Sequence, residues 1–244
     1  MSTWFISDLH LDPARPAGTR LLLEFLEHIR GRADGLYLLG DVFEFWIGDD
    51  VLDSPAGQGV LPVVEALERL SASGVPLYFQ HGNRDFLIGA AFAARAGCTL
   101  LPQEQVISLY ERPVLLMHGD QLCTDDQAYQ QARRQFRDPE WQRQALAMSI
   151  PQRLETARRL RLQSHEHNKA KTEAIMDVNQ QAVEQAMRTH AVECLIHGHT
   201  HRPGIHAFSL DGRDVQRIVL GDWHEGGSFL RMAPGQQQLD TRFA

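Results

Sequence analysis

Cysteine is scarce in this sequence, long apolar runs are missing, and positive charge is outnumbered. Cys98, Cys123 and Cys194 are the only three cysteines in 244 residues. They are odd in number and far apart, so they form neither a zinc ribbon nor a disulfide framework. A reducing compartment is expected. No run approaches the roughly 20 apolar residues that span a bilayer. The N-terminus has no basic region followed by a long apolar core, and Asp8 interrupts its apolar start, so no signal peptide is expected. A net charge of -7 argues against bulk electrostatic binding of nucleic acid. No P-loop and no Gly-x-Ser-x-Gly elbow occurs either, which removes two common ways of handling phosphate and acyl groups.

What is present is an ordinary globular composition, 43% hydrophobic and 23% charged, at a length that suits one domain, 1–244, with an insertion. Apolar runs at 3–6, 36–39, 75–79, 106–110, 114–117, 194–196 and 215–220 predict strands. Helical spacing predicts helices over 21–29, 60–70 and 86–96, the last stopping at Gly97. Residues 223–244 read as strands and a tail. The segment from about 125 to 190 differs. It is polar and rich in Gln and Arg, and Pro139 and Pro151 divide it into several predicted helices.

The most informative stretch is His197-Gly198-His199-Thr200-His201, directly after an apolar run. In an extended segment the three histidines share one side, and Gly198 removes a Cβ that would crowd an approaching group. Four other strand ends carry similar sets: Asp8 with His10, Gly40-Asp41, Gly82-Asn83 and His118-Gly119. In an open α/β sheet, sites form in the crevice beyond the strand ends, so these side chains are expected to converge. Singly, each has an ordinary structural explanation: a cap, a turn residue, a core histidine. Five at equivalent positions make coincidence a poor one. The donors are oxygen and nitrogen without sulfur, which suits Mn²⁺, Fe²⁺, Co²⁺ or Zn²⁺. Seven candidates exceed one tetrahedral ion and suit a pair bridged by a carboxylate, an arrangement that serves displacement at phosphorus.

These motifs, Asp8-x-His10, Gly40-Asp41, Gly82-Asn83-x-Asp85, His118 and Gly198-His199-x-His201, resemble the calcineurin-like metallophosphoesterases in order and spacing. Longer runs resemble the branch that cleaves UDP-2,3-diacylglucosamine in lipid A synthesis: Ile6-Ser7-Asp8-Leu9-His10-Leu11, Phe45-Trp46-Ile47-Gly48-Asp49-Asp50, His81-Gly82-Asn83-Arg84-Asp85-Phe86-Leu87, His118 through Asp126, and Ile175 through Gln180. The resemblance implies an α/β sandwich of two mixed sheets flanked by helices, with the helical insert as a lid. It implies two Mn²⁺ per chain. One would take Asp8, His10, Asp41 and His201, the other Asp41, Asn83, His118 and His199, with Asp41 bridging. His197 precedes the matched motif and is expected either to support a neighbouring ligand or to be structural. Asp85 and Asp120 are expected to orient neighbouring ligands.

Many members of the superfamily carry His after the ligand Asn; this chain has Arg84. Arg cannot supply a proton at neutral pH, so Arg84 is expected to clamp phosphate oxygens. That suits a pyrophosphate, whose leaving group is itself a phosphate. Asp41, Asn83, Arg84, His118 and His199 are thus the expected catalytic set. The resemblance also implies substrate contacts at Asn83, Arg84, Asp126, Ser164, Asn168, Lys171 and His199. Trp46, Phe136, Trp141, Met148 and Ile150 are candidates for an acyl pocket, although such residues are more often core. A cytoplasmic protein, peripheral on the inner membrane, is expected, since Arg133 to Arg161 is rich in arginine. Two other readings stay open at this point: the same chemistry on another nucleotide, and a non-catalytic scaffold, against which every filled ligand position counts.

Overall fold

A computed structural model describes residues 2–169 and 175–244; of 165–169 it describes the backbone. Two sheets face each other. The first holds six strands in the order β11-β10-β1-β2-β3-β4: Gln236–Phe243, Gly227–Ala233, Ser2–Ile6, Ala33–Leu38, Leu77–Gln80 and Cys98–Leu101. The second holds five, β5-β6-β7-β9-β8: Glu104–Leu109, Arg112–Met117, Cys194–His197, Arg213–Val219 and Gly204–Leu210. β1 to β4 run parallel, as do β6, β7 and β9. Both sheets are mixed, because β10 joins β1 and β8 joins β9 antiparallel. The expected two-sheet α/β sandwich is what the chain builds.

Strand alternation assigns each side chain to a layer. Trp4 and Ile6 face the helices α1 (Pro16–Ile29), α2 (Leu61–Ala72) and α3 (Ala90–Ala96), whereas Phe5 between them packs between the sheets with Leu39, Leu116, Ile196 and Leu230. In β6, Val114 and Leu116 face inward, while Leu115 and Met117 pack on the far side. Burial on both faces explains why these strands read as continuous apolar runs.

The predicted helix over 86–96 begins only at Ala90. The Asp49 carboxylate accepts the N–H groups of Gly89 (3.0 Å) and Phe92 (2.9 Å), and so fixes where the helix starts. Gly97, at φ 67, ends it in the left-handed conformation. The polar segment forms α4 (Gln127–Phe136), α5 (Pro139–Leu146), α6 (Ile150–Lys169) and α7 (Gln180–Thr189). Both prolines sit in a first turn, where no N–H is lost. α7 buries Val183 and Met187 against the second sheet and belongs to the crossover from β6 to β7. The other three helices stand over the strand ends.

Candidate active site

β1, β2 and β3 in one sheet and β6 and β7 in the other end at the same edge of the sandwich. The loops there are laced together by backbone. Asp8 donates its N–H to Gly40 (3.0 Å), His10 to Asp41 (2.9 Å), and Gly198 to His118 (2.8 Å). The convergence expected from sequence occurs, by a different geometry. Asp8, His10, Asp41, His199 and His201 all have positive φ, between 47° and 69°. The segment is therefore not extended, and the three histidines of the pentad do not share a face. His197 is buried inside β7, where its Nδ1 meets the Gly198 carbonyl (2.8 Å) and its Nε2 meets Arg217 (3.2 Å). His199 and His201 diverge into two separate clusters. Left-handed backbone at non-glycine residues costs roughly 1–3 kcal/mol each and is typical of functional sites.

Close approach explains the interposed glycines. A Cβ on Gly198 would collide with the Ser7 hydroxyl and the Asp8 carboxylate, and one on Gly82 with Asp41. The group that approaches Gly198 is therefore the neighbouring ligand loop.

Two sets of side chains could each hold a metal ion: Asp8, His10 and His201, and Asp41, His118 and His199. In the first, Nε2 of His10 and Nε2 of His201 stand 3.2 Å apart. Two nitrogens each about 2.0–2.1 Å from one ion would be separated by roughly 3.0–3.4 Å. Asp8 Oδ1 lies 3.3 Å from His201 Nε2 yet has no hydrogen bond, while its Oδ2 accepts from Ser7 and from the His199 N–H (2.8 Å). One oxygen locks the loops and the other is left for an ion. In the second set, His118 Nδ1 meets the Leu39 carbonyl (2.8 Å), and its Nε2 turns to Asn83 Oδ1 (3.1 Å), which brings these two candidate donors together. Asp41 straddles both sets: Oδ2 is 3.9 Å from His10 Nε2 and Oδ1 is 3.6 Å from His118 Nε2. All seven candidate ligands thus gather in two adjacent groups, and the unpartnered donors fit two divalent cations.

The electrostatics agree. Burial pushes His10 down to about 3 and His199 down to about 4, so both are neutral at pH 7, the form in which imidazole can take a metal. Burial also pushes Asp41 up to about 7, helped by the charges of Asp85 and Asp8. His201 goes the other way. Burial lowers it, but its contacts with Asp222 (3.0 Å) and Asp8 carry it to about 10. In protein stripped of metal that proton must be displaced before an ion can bind at His201. Metal affinity should therefore rise at least about tenfold per pH unit between pH 7 and 9, and more steeply below pH 7, where Asp41 must also lose a proton. Titration calorimetry in two buffers of different ionisation enthalpy measures the protons released. Affinity independent of pH over that range would contradict this assignment.

Asp85 accepts the N–H groups of Val42 and Gly82, each at 2.8 Å, and so joins the loops of Asp41 and Asn83. Asp120 instead holds the insert, accepting from Tyr129 Oη (2.9 Å) and Arg133 Nε (2.8 Å). Its charge also acts on His118 and His199, and the Tyr129 ring it holds packs on His199 at 5.7 Å. The adjoining cleft, of about 310 Å³, is lined by Asn83, Arg84, Asp126, Ser164, His199 and ten other residues. Asn168 lies on the α6 backbone, and Lys171 falls outside the described residues. None of the five acyl-pocket candidates lines the cleft. Trp46 is buried against Phe43 and Phe92, and Phe136 and Trp141 form a trio with Phe86. Sequence reasoning missed Glu44, Tyr129, Arg161, Asp222 and His224, which their long-range contacts reveal.

A family model described as calcineurin-like phosphoesterase matches residues 1–203. The chain belongs to this family. Among relatives of the phosphoesterase, a UDP-2,3-diacylglucosamine hydrolase of Chromohalobacter salexigens is 56% identical over 93% of this chain and 90% of its own. Proteins of the same name from Aeromonas hydrophila (52% identical) and Serratia proteamaculans (49%) each align over 98% of both chains.

Proposed function

We propose that this phosphoesterase hydrolyses UDP-2,3-diacylglucosamine at its pyrophosphate bond, giving UMP and 2,3-diacylglucosamine 1-phosphate, as a step of lipid A synthesis. The observation that carries the substrate is the extent of the similarity. At 98% coverage it runs through the helical insert as well as the sandwich. We further infer that Mn²⁺ is the metal, in keeping with Asp, Asn and His donors and no sulfur.

Asp8, His10, Asp41 and His201 would hold one ion, and Asp41, Asn83, His118 and His199 the other. When bound, the ions would supply Lewis acidity at the phosphate oxygens and acidify the attacking water. The chain's own residues handle the anion. Arg84 and Arg161 both line the cleft. Arg161 is held below its usual value, first by burial and then by the charge of Arg84. Two guanidiniums brought together in this way favour a polyphosphate between them. Asp126, which caps α4 through the Tyr129 N–H (3.1 Å), and Ser164 of α6 also line the cleft and would contact the remainder of the nucleotide-sugar.

Peripheral association with the cytoplasmic face of the inner membrane fits the insert's surface. Leu146 (43%) and Leu162 (67%) are exposed on arginine-bearing helices, and Met148 (42%) in the turn between them. Among the described residues no helix is long and apolar enough to cross a membrane.

The test is UMP release with added Mn²⁺, from UDP-2,3-diacylglucosamine and from unacylated UDP-N-acetylglucosamine. Release from the acylated substrate alone, abolished by EDTA, is expected. Equal release from both would remove the lipid and leave a general nucleotide pyrophosphatase.

A further inference from the structure

Glu44 is buried in the loop after β2, at 7% exposure, and a buried carboxylate requires partners. Its backbone N–H donates to the Leu11 carbonyl (3.0 Å), which places the residue alongside His10. Oε2 lies 3.6 Å from His10 Nδ1 and 3.5 Å from Arg15 Nη2. Oε1 pairs with Arg161 Nε of α6, and Arg161 lines the cleft.

A histidine that gives Nε2 to a metal usually donates its other ring N–H to a carboxylate or carbonyl. His118 uses the Leu39 carbonyl and His201 uses Asp222. Among the described residues His10 Nδ1 is buried without a hydrogen bond, and the Glu44 carboxylate is the acid that faces it.

We propose that Glu44 is a positioning residue of the metal site, holding His10 through Nδ1 with one oxygen and Arg161 of the insert with the other. One buried carboxylate would thereby orient a ligand and fix the insert over the cleft. The proposal rests on the two-ion reading above, and a test that needs no substrate keeps the two separable.

Mn²⁺ binding to the purified full-length protein is titrated calorimetrically, and KM and kcat are measured alongside. Glu44→Ala should weaken binding at one of the two ion sites about 10–100-fold, the usual effect of removing such a partner. Arg161→Ala should leave Mn²⁺ affinity within about threefold of wild type and raise KM. Glu44→Gln, which keeps an acceptor for His10 but no charge for Arg161, should restore most of the metal affinity and share the raised KM. Where Glu44→Ala fails to fold, Glu44→Asp carries the same expectation, because its shorter chain withdraws from both partners. If Glu44→Ala and Arg161→Ala both change KM and leave Mn²⁺ binding intact, Glu44 is only an anchor for α6 and the proposal is overturned. If wild-type protein binds no ion, the two-ion reading fails and this falls with it.

Discussion

Asp41→Asn should abolish turnover and, in EDTA, raise the melting temperature. Asp41 turns one carboxylate oxygen to each ion set. An amide offers a single neutral oxygen, so each ion would lose charge and one would lose a ligand. A rate loss on the order of 10³-fold or more, about 4 kcal/mol in the barrier, is expected. Without ions the same carboxylate is a liability. Burial first, then the charges of Asp85 and Asp8, raise it from 3.8 to about 7. Its folded pKa therefore exceeds its unfolded one. The associated stability is fully present below about pH 3.8 and is lost as pH rises through about 7. At pH 8 the ionised group costs the stripped protein up to a few kcal/mol, and Asn removes that cost. Asn also tolerates the left-handed backbone found here, φ 53. A gain on the order of 5 °C follows for a chain of this size. Thermal melts at pH 5 and pH 8 in EDTA decide it: the advantage of the variant should be larger at pH 8. A variant that melts lower than wild type at both, or one that turns over normally, would refute the bridging assignment.

The sandwich was legible because its strands are buried on both faces and stop abruptly. Runs such as Leu36-Tyr37-Leu38-Leu39 can be little else. β4 and β8 escaped notice for the opposite reason: they are sheet edges, and β8 exposes His206 and Ala207 and interrupts its own pattern. The ligand residue types were legible too, since Asp, His and Asn rarely recur at successive strand ends without cause. How they converge was not. Five left-handed residues turn the side chains inward, and no period of two or 3.6 encodes that. Nor can a linear pattern disclose a partner across the fold: Asp222 behind His201, Glu44 behind His10, or Tyr129 against His199. Trp46 shows the converse. Its type suggested a ligand pocket, yet its neighbours Phe43 and Phe92 make it core.

Replacing Arg84 should cost kcat far more than it costs metal binding. The residue is held at both ends of its role. Its N–H donates to Asp41 Oδ1 (2.8 Å), which ties its position to the carboxylate between the two ion sets. Its Nε is buried with no partner among the described residues, and its side chain lines the cleft. A buried guanidinium N–H without an acceptor is costly, and in the proposed reaction a phosphate oxygen of the substrate would supply one. The proposed reaction expels a sugar 1-phosphate, a leaving group stable as an anion. The chemistry at this position then requires charge stabilisation and no proton, which Arg provides and His would provide less well at pH 8. Donors aimed at developing charge are typically worth 10²–10³-fold in kcat, so Arg84→Ala should lose about that much. Arg84→Lys should recover little, because an ammonium cannot span two oxygens in the plane of a fork. Mn²⁺ affinity in both variants should stay within about threefold of wild type, because the bond to Asp41 comes from the backbone and survives substitution. Rate and metal binding falling together would make Arg84 a support for Asp41. A full recovery in Arg84→Lys would reduce its role to a point charge.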